Sequence, residues 1–439
     1  MKIYRRNQRS VLSMAMNLTQ KLFAAHLAEP AELVPGQEIK VTVDQTLTHD
    51  INAVMAYLAF EALDLDRVRT KLSVSYIDHN LLQIDNKTPD DHIYLQSIAQ
   101  KYGLVLSKAG NGICHALQCS RFGKPGTLLL GGDSHTPSCG ALGMLAIGVG
   151  GMDIAVALAG FPYVMKMPKV VKVNLKGRLR PGTAAKDIIL EMLRRTTVKG
   201  GVGKVYEYVG EGVETLSIPE RLTIANMGAE MGATTSVFPA DGQVRAFLKA
   251  QGREQDYTEW LPDAGCGYDE EIQLDLDALE PLVACPHMPD NVMKVADVPK
   301  IPVQQVFIGS CTNGSYSDFK KVALVLKEHK INPDVSLVLG ISSRQIYLRL
   351  LQDGVIADLV DSGARITEFA CGPCCGIGIA PSSKGISVRT SNRNFKGRSS
   401  TADASLYLVS PEVAAATAVK GTLALPQEVM EDVSVLGDV

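Results

Sequence analysis

Short runs of β-branched and apolar residues alternate along this chain with longer stretches whose apolar positions recur at helical spacing. That is the pattern of α/β layers with mostly parallel sheets. Helical period marks residues 17–27, and strands are expected at 39–43, 72–77, 127–130, 303–308, 366–369 and 385–389. The residues just past the strand ends carry the more informative signal. The 72–77 run leads straight into Asp78-His79, and 127–130 into Gly-Gly-Asp133-Ser134-His135-Thr-Pro. The 303–308 run reaches Gly-Ser-Cys311-Thr-Asn-Gly, 366–369 reaches Ala-Cys371-Gly-Pro-Cys374, and 385–389 reaches Thr-Ser-Asn392-Arg393-Asn394. Ligands of open parallel sheets bind outside the carboxyl ends of the strands. Five reactive clusters at five such ends therefore predict one shared cleft.

No internal repeat or low-complexity tract interrupts this pattern. A Lys/Val strand opens just after Pro168, and a proline-bearing segment lies at 299–302. These divide the chain into expected domains at 17–168, 169–298 and 299–439, after a basic lead over 1–16. An Ala-rich helix is expected after Glu412, ending near Gly421. The length of 439 residues suits about three domains at roughly 100–200 residues each.

Composition narrows the function classes. Hydrophobic residues make up 46 % and charged residues 21 %, ordinary for a globular protein, and no apolar run reaches the ~18 residues of a membrane span. A formal net charge of -3 provides no basic field for nucleic acid or an anionic membrane. The lead carries Lys2, Arg5, Arg6 and Arg9 without an apolar stretch behind them, so it is not read as a secretory signal; a short organellar presequence is the alternative. Nine cysteines, an odd number in a long chain, argue for a reducing compartment, the cytoplasm, and against a disulfide framework.

Taken alone, Cys371-Gly-Pro-Cys374 fits a cluster, a thioredoxin-type redox pair, half of a zinc site or two coincidental buried thiols. Cys311, in its own glycine-bracketed loop after a strand, shifts that balance. Three thiolates from two loops can hold three irons of a cubane and leave the fourth iron without a protein ligand. His79, His115 and His135 could each be satisfied core histidines. Two of them follow Asp78 and Asp133-Ser134, however, and carboxylates that orient imidazoles are the usual arrangement for proton transfer. The bland alternative for Asp78 and Asp133 is a helix N-cap. Asn226 and Glu230 lie four apart among small apolar residues and share a helical face. Arg393 and Arg398 offer two guanidinium forks, as a polycarboxylate requires, or else a solvated loop. Gly200-Gly201-Val202-Gly203-Lys204 lacks the earlier glycine of a phosphate loop and has Val205 where Ser or Thr is needed, so no nucleotide is inferred.

Asp-Ser-His-Thr-Pro, Gly-Ser-Cys-Thr-Asn, Ala-Cys-Gly-Pro-Cys and Ser-Asn-Arg-Asn-Phe, in this order, resemble the aconitase superfamily over residues 18–421. The resemblance implies three α/β/α domains around a [4Fe–4S] cluster, with a fourth, mobile swivel domain that in some members is a separate small subunit. It implies Cys311, Cys371 and Cys374 as cluster ligands. Asp78, His79, Asp133 and His135 match residues that assist departure of the substrate hydroxyl, and His115 matches a third family histidine. Ser134 belongs to the same site motif. Asn226 and Glu230 match positions beside the labile iron, and Asn392, Arg393 and Arg398 stand where substrate is held. Asp44-Gln45-Thr46 matches the family's early glutamine only loosely. The family's serine base and a further arginine sit on the fourth domain, which is expected on a separate small subunit.

The implied partners are thus a small subunit and a 2-hydroxy di- or tricarboxylate, with 3-isopropylmalate or citrate/isocitrate expected first. Homocitrate and dimethylmalate or maleate-type substrates are the alternatives within the family. Outside catalysis by hydration, a cluster-free RNA-binding regulator and a CxxC thiol oxidoreductase are the competing classes.

Overall fold

The computed structural model describes residues 15–439, so most of the expected basic lead lies outside the described residues. Three sheets carry the architecture. The first has five strands, all parallel, in the spatial order Val105–Ser107, Leu72–Tyr76, Gln45–His49, Leu128–Gly131 and Leu145–Gly148. The second has four parallel strands, ordered Thr235–Val237, Lys204–Val209, Lys169–Lys176 and Glu270–Asp275. The third has seven. Five run parallel, in the order Ser405–Leu408, Ile386–Arg389, Gln305–Gly309, Ser336–Gly340 and Arg365–Ile366. Leu282–Ala284 and Val292–Lys294 join that sheet antiparallel, beside Ser405–Leu408. They come from before Pro299, so the expected 298/299 boundary cuts across this sheet.

Central strands are buried along their whole length, as in Gln45–His49 and Gln305–Gly309. Both faces of such strands must be covered, which is why they read as apolar runs and not as clean alternation. Separate apolar clusters fill the space around each sheet. One gathers Val306, Phe319, Leu339 and Val413 in the third layer, and another gathers Phe23, Tyr57, Leu130 and Ile154 in the first. The predicted N-terminal helix forms over Leu18–His26, with Asn17 and Gln20 making a capping box. A buried carboxylate, Glu207 on the second sheet, accepts from the backbone N–H groups of Leu18 and Thr19 at 3.0 and 2.8 Å. An acid at a helix N-terminus meets both the free amides and the positive end of the dipole.

Two expected strands differ from the pattern reading. The 39–43 run forms Glu38–Val41, but it pairs antiparallel with Tyr163–Lys166 outside the parallel sheet. The 366–369 run shortens to Arg365–Ile366, an edge strand bonded only to Val338–Leu339. With no neighbour on its far side, the chain is free to turn at once toward Cys371.

Sharp turns leave the strand ends. At Gly309 (φ 134°) a Cβ would lie 2.1 Å from the Gly340 carbonyl oxygen, so only glycine lets the chain bend there into Ser310-Cys311. The helix Ile218–Gly228, which carries Asn226, is pinned from below. Fully buried Arg221 makes five hydrogen bonds, to Leu216, Val213 and Pro239 carbonyls and, bidentately, to Asp241 at 3.0 and 2.7 Å. Asp241 also caps the helix Gly242–Ala250. Asp241→Ala leaves a buried guanidinium without its counter-ion, and breaking such a pair costs about 3–5 kcal/mol. We expect a marked fall in the unfolding midpoint, measured by thermal or urea denaturation. An unchanged midpoint would mean that this ion pair contributes nothing to the anchoring.

Candidate active site

The loops that leave the first and third sheets meet. Cys311 and Cys374 are buried and Cys371 is half-buried, and all three are free thiols. The Cys371 backbone N–H donates to the Asp78 carbonyl at 2.7 Å, which ties the thiol loop of the third layer to the acid loop of the first. Burial, together with the neighbouring Cys374 thiol, pushes Cys311 up to about 12, against the opposing pull of the Asn226 amide. Burial and the Cys311 and Cys374 thiols push Cys371 well above the ordinary thiol range. The shared causes bring the three thiols into one desolvated site in which the Cys374 thiol raises the other two.

Beside the thiols lies a carboxylate hub. Asp133 Oδ1 is 2.8 Å from His115 Nε2 and 3.4 Å from His135 Nδ1, and it accepts from the His135 backbone N–H at 2.8 Å. Its Oδ2 is 3.4 Å from His49 Nε2 and 3.7 Å from His79 Nε2. Burial raises the Asp133 carboxyl. The His115 charge and the bonds from His115, His135 and His49 outweigh it and hold the group well below the usual carboxylate range. Asp78, itself fully buried, holds His79 Nδ1 at 2.8 Å and accepts from the Cys114 N–H at 2.7 Å. Neither Asp78 nor Asp133 is a helix N-cap; both face imidazoles. Burial lowers His79, but the charges of Asp78, Asp133 and Asp50 and its bond to Asp78 push it up to about 9. Burial likewise opposes a charge on His135, and the bonds to Asp133 and Glu230 still raise it.

Polar side chains of all three layers join the thiols to this hub. Asn226 Nδ2 donates to Cys311 Sγ at 3.3 Å and to Ser138 Oγ, while Asn392 Nδ2 donates to Asn226 Oδ1 at 3.1 Å and Cys311 Sγ at 3.5 Å. Glu230 accepts from His135 Nε2 at 2.8 Å and from Arg393 Nε at 2.9 and 3.1 Å. The Arg393 Nη2 donates to Ser134 Oγ at 2.8 Å. The helix of Asn226 ends at Gly228, so Glu230 sits on a following 3-10 turn instead of the same helical face. Arg398, the second expected arginine, lies beside the thiols. Its guanidinium lies beside Cys374, whose negative charge raises its pKa against burial, and its buried Nε has no protein acceptor.

The structure also adds residues not singled out from sequence. His49 stacks on His79 with ring centroids 3.9 Å apart, and Asp50 accepts from the backbone N–H groups of Asp78, His79 and Asn80. The signal was present: the strand Gln45–His49 ends on His-Asp, as the 72–77 strand is followed by Asp-His. Gln45 does not reach the cleft; its side chain donates to Phe122 and accepts from Gln118 within the interior. Lys186 is fully buried and donates to the Thr390 and Ser391 carbonyls, at 2.7 and 2.8 Å. No motif marks it, because its partners come from distant sequence.

Three layers that aim thiols, imidazoles and their carboxylates into one cleft define a multi-sheet α/β protein with its ionisable groups gathered at the strand ends. The model of the aconitase family (aconitate hydratase) matches residues 20–301 and 296–421. The chain is 36 % identical over 417 residues to 3-isopropylmalate dehydratase large subunit 1 of Thermotoga maritima, covering 94 % of this chain and 99 % of that one. It is 37 % identical over 395 residues to large subunit 2 of the same-named enzyme of Archaeoglobus fulgidus, covering 90 % and 95 %. Aconitase X of Thermococcus kodakaraensis, a solved structure, matches with a TM-score of 0.47 and 12 % identity, over 81 % of this chain and 84 % of that one. The chain belongs to the aconitase family. No helix among its described residues is long and apolar enough to cross a membrane.

The raised His79 imidazole has a stability consequence. Its folded value is about 9 against an ordinary 6.5, so its contribution is complete below about 6.5 and is lost as pH rises through about 9. The unfolding midpoint of the cluster-free chain should therefore fall between pH 6.5 and 9. Asp78→Asn, which removes the charge facing His79, should flatten that slope. An equally steep slope in the variant would show that His79 is not the group responsible.

Proposed function

We propose that this chain is the cluster-bearing large subunit of an aconitase-family hydro-lyase that acts on 3-isopropylmalate. The observation that carries the reading is the convergence of three desolvated thiols with the Asp133 imidazole hub in one cleft. The relatives that match nearly the whole chain bear the name of that dehydratase's large subunit. Cys311, Cys371 and Cys374 are the residues that would hold a [4Fe–4S] cluster. Their fit rests on burial and on the unsatisfied Arg398 Nε beside Cys374. When bound, such a cluster supplies an open iron, a Lewis acid for a substrate hydroxyl and a neighbouring carboxylate oxygen.

The chain's own residues do the rest. His135, favoured as imidazolium by Asp133 and Glu230, is the proton donor to a departing hydroxyl, with His115 and His79 held in register by the same carboxylate. Arg393, partly exposed beside Ser134, presents the fork for a substrate carboxylate. A carboxylate arriving there competes with Glu230 for the guanidinium. Weakening that pair leaves Glu230 more basic and tightens its hold on the His135 proton. Thus substrate binding and proton supply share one residue. Asn226 and Asn392 steer the Cys311 thiolate. The base for the opposite face, and closure of the cleft against water, are assigned to a small swivel-domain subunit, the partner implied by the relatives' name. All nine cysteines are free, and the reading places the protein in the cytoplasm. A thioredoxin-type role would need a lowered thiol, and Cys371 is shifted the other way.

Anaerobic reconstitution with the small subunit should give turnover of 3-isopropylmalate that exceeds turnover of citrate, isocitrate, homocitrate or 2,3-dimethylmalate. Preference for any of the others overturns the substrate. Cys311→Ser, Cys371→Ser and Cys374→Ser should each lose iron and colour, whereas Cys139→Ser keeps both; full iron in Cys311→Ser would break the three-ligand assignment. His135→Ala should lower kcat by about 10²–10⁴ at unchanged iron content, the usual range for a lost general acid. Arg393→Lys should act mainly on KM, because a point charge does not replace a bidentate fork. Steady-state kinetics that left KM intact would remove Arg393 from the clamp.

A further inference from the structure

Lys186 is a buried cation that nothing in the proposed chemistry uses. It lies in the first turn of the helix Ala185–Thr196 of the second layer, with no measurable exposure. Its ammonium donates to the Thr390 carbonyl at 2.7 Å, the Ser391 carbonyl at 2.8 Å and Asn313 Oδ1 at 3.5 Å. All three acceptors are neutral. A buried ammonium with only neutral partners is costly, and such charges are normally paired or tied to a metal site.

The position of those partners suggests what offsets this cost. Asn313 is two residues beyond Cys311. Ser391 adjoins Asn392, whose amide touches Cys311 at 3.5 Å and whose Oδ1 lies 3.6 Å from Cys374 Sγ. Burial pushes the ammonium down to about 7; opposing it, largest first, are the Cys374 and Cys311 thiols and then the Asp318 and Asp187 carboxyl groups. The same two carbonyls belong to the segment that carries Asn392 and Arg393 into the cleft.

We propose that Lys186 is a positioning residue: its ammonium is the buried countercharge of the thiolate site, and through the Thr390 and Ser391 carbonyls it fixes the loop that presents Asn392 and Arg393. This rests on the cluster reading above. Three thiolates bring negative charge that a buried cation stabilises, most of all when an added electron increases it. The reduction potential of an iron–sulfur cluster follows net charge and hydrogen bonding around its sulfurs. Loss of the ammonium should therefore disfavour the reduced state, whereas a purely structural clamp would leave the potential where it was.

The test uses two variants of the full chain, reconstituted anaerobically and checked for folding by circular dichroism. Lys186→Gln keeps a donor for the carbonyls without the charge, and Lys186→Met keeps neither. Iron and sulfide per chain, the cluster midpoint potential from an EPR-monitored titration, and KM and kcat with the small subunit are measured for both. Both variants should move the potential to more negative values, by at least a tenfold change in the reduced-to-oxidised ratio, which is about 59 mV for one electron. KM should rise several-fold further in Lys186→Met than in Lys186→Gln. A wild-type potential in a folded, cluster-loaded Lys186→Gln overturns the inference and leaves the cluster reading standing. A wild-type chain that binds no cluster overturns both. If neither variant folds, a crystal structure of the wild-type holoenzyme decides. An ammonium on both carbonyls and facing the thiolates supports the countercharge, and one turned away from them overturns it.

Discussion

The site depends on one half-buried carboxylate. Among the described residues, Asp133 alone reaches His49, His79, His115 and His135 together, and its two oxygens divide those imidazoles between them. In a dry cleft an unpaired carboxylate is expensive, and so is an unpaired imidazolium. Each is tolerated here because the other is present, and the arrangement is over-determined in consequence. Asp78 and Asp50 stand behind it and fix the backbone and ring of His79. Glu230 stands on the other side and joins His135 to Arg393. His79, raised to about 9, and His135, also raised, stand on one side, and on the other burial raises the Cys311 and Cys371 thiols. The proposed departure of hydroxide draws on that contrast.

Sheet geometry makes that carboxylate reachable. In the first layer, His49-Asp50, Asp78-His79 and Asp133 lie at the ends of three strands that are adjacent and parallel, so they emerge at one edge within a few ångströms of one another. In the third layer, the Cys311 and Asn392 loops leave adjacent parallel strands, and the Cys371 loop leaves Arg365–Ile366, with Ser336–Gly340 between it and the Cys311 strand. The second layer supplies Asn226 and Glu230 from a helix end that Arg221 and Asp241 lock in place. Short, strained turns at the strand ends keep the loops from wandering, and Gly309 is the clearest case, with no room for a side chain beside Gly340.

Much of this was legible in the chain itself. Apolar runs bounded by turn residues marked most of the strands, and reactive residues just past their ends marked the cleft, because parallel sheets place strand ends together. Asp78, His79, Asp133, His135, Cys311, Cys371 and Cys374 all carried that signature. The readings that went astray depended on partners far away in sequence. The 39–43 strand was correct as a strand, yet its pairing with Tyr163–Lys166 put it outside the main sheet. Gln45 occupies the same strand as His49 and points into the interior, since side chains alternate across a strand and the cleft lies beyond its end. Lys186 bears no motif at all.

Local sequence thus determined the elements, the strand-end chemistry and the aconitase resemblance. Those arise from periodicity, turn residues and short motifs, all of which act over a few positions. Tertiary structure alone decided which carboxylate serves which imidazole, which arginine faces the cleft, and that a lysine sits buried beneath the thiol loops. Such choices are set by desolvation and by distances of about 3 Å between residues separated by tens to hundreds of positions. No local pattern encodes a distance of that kind; it exists only once the three sheets have closed around the site.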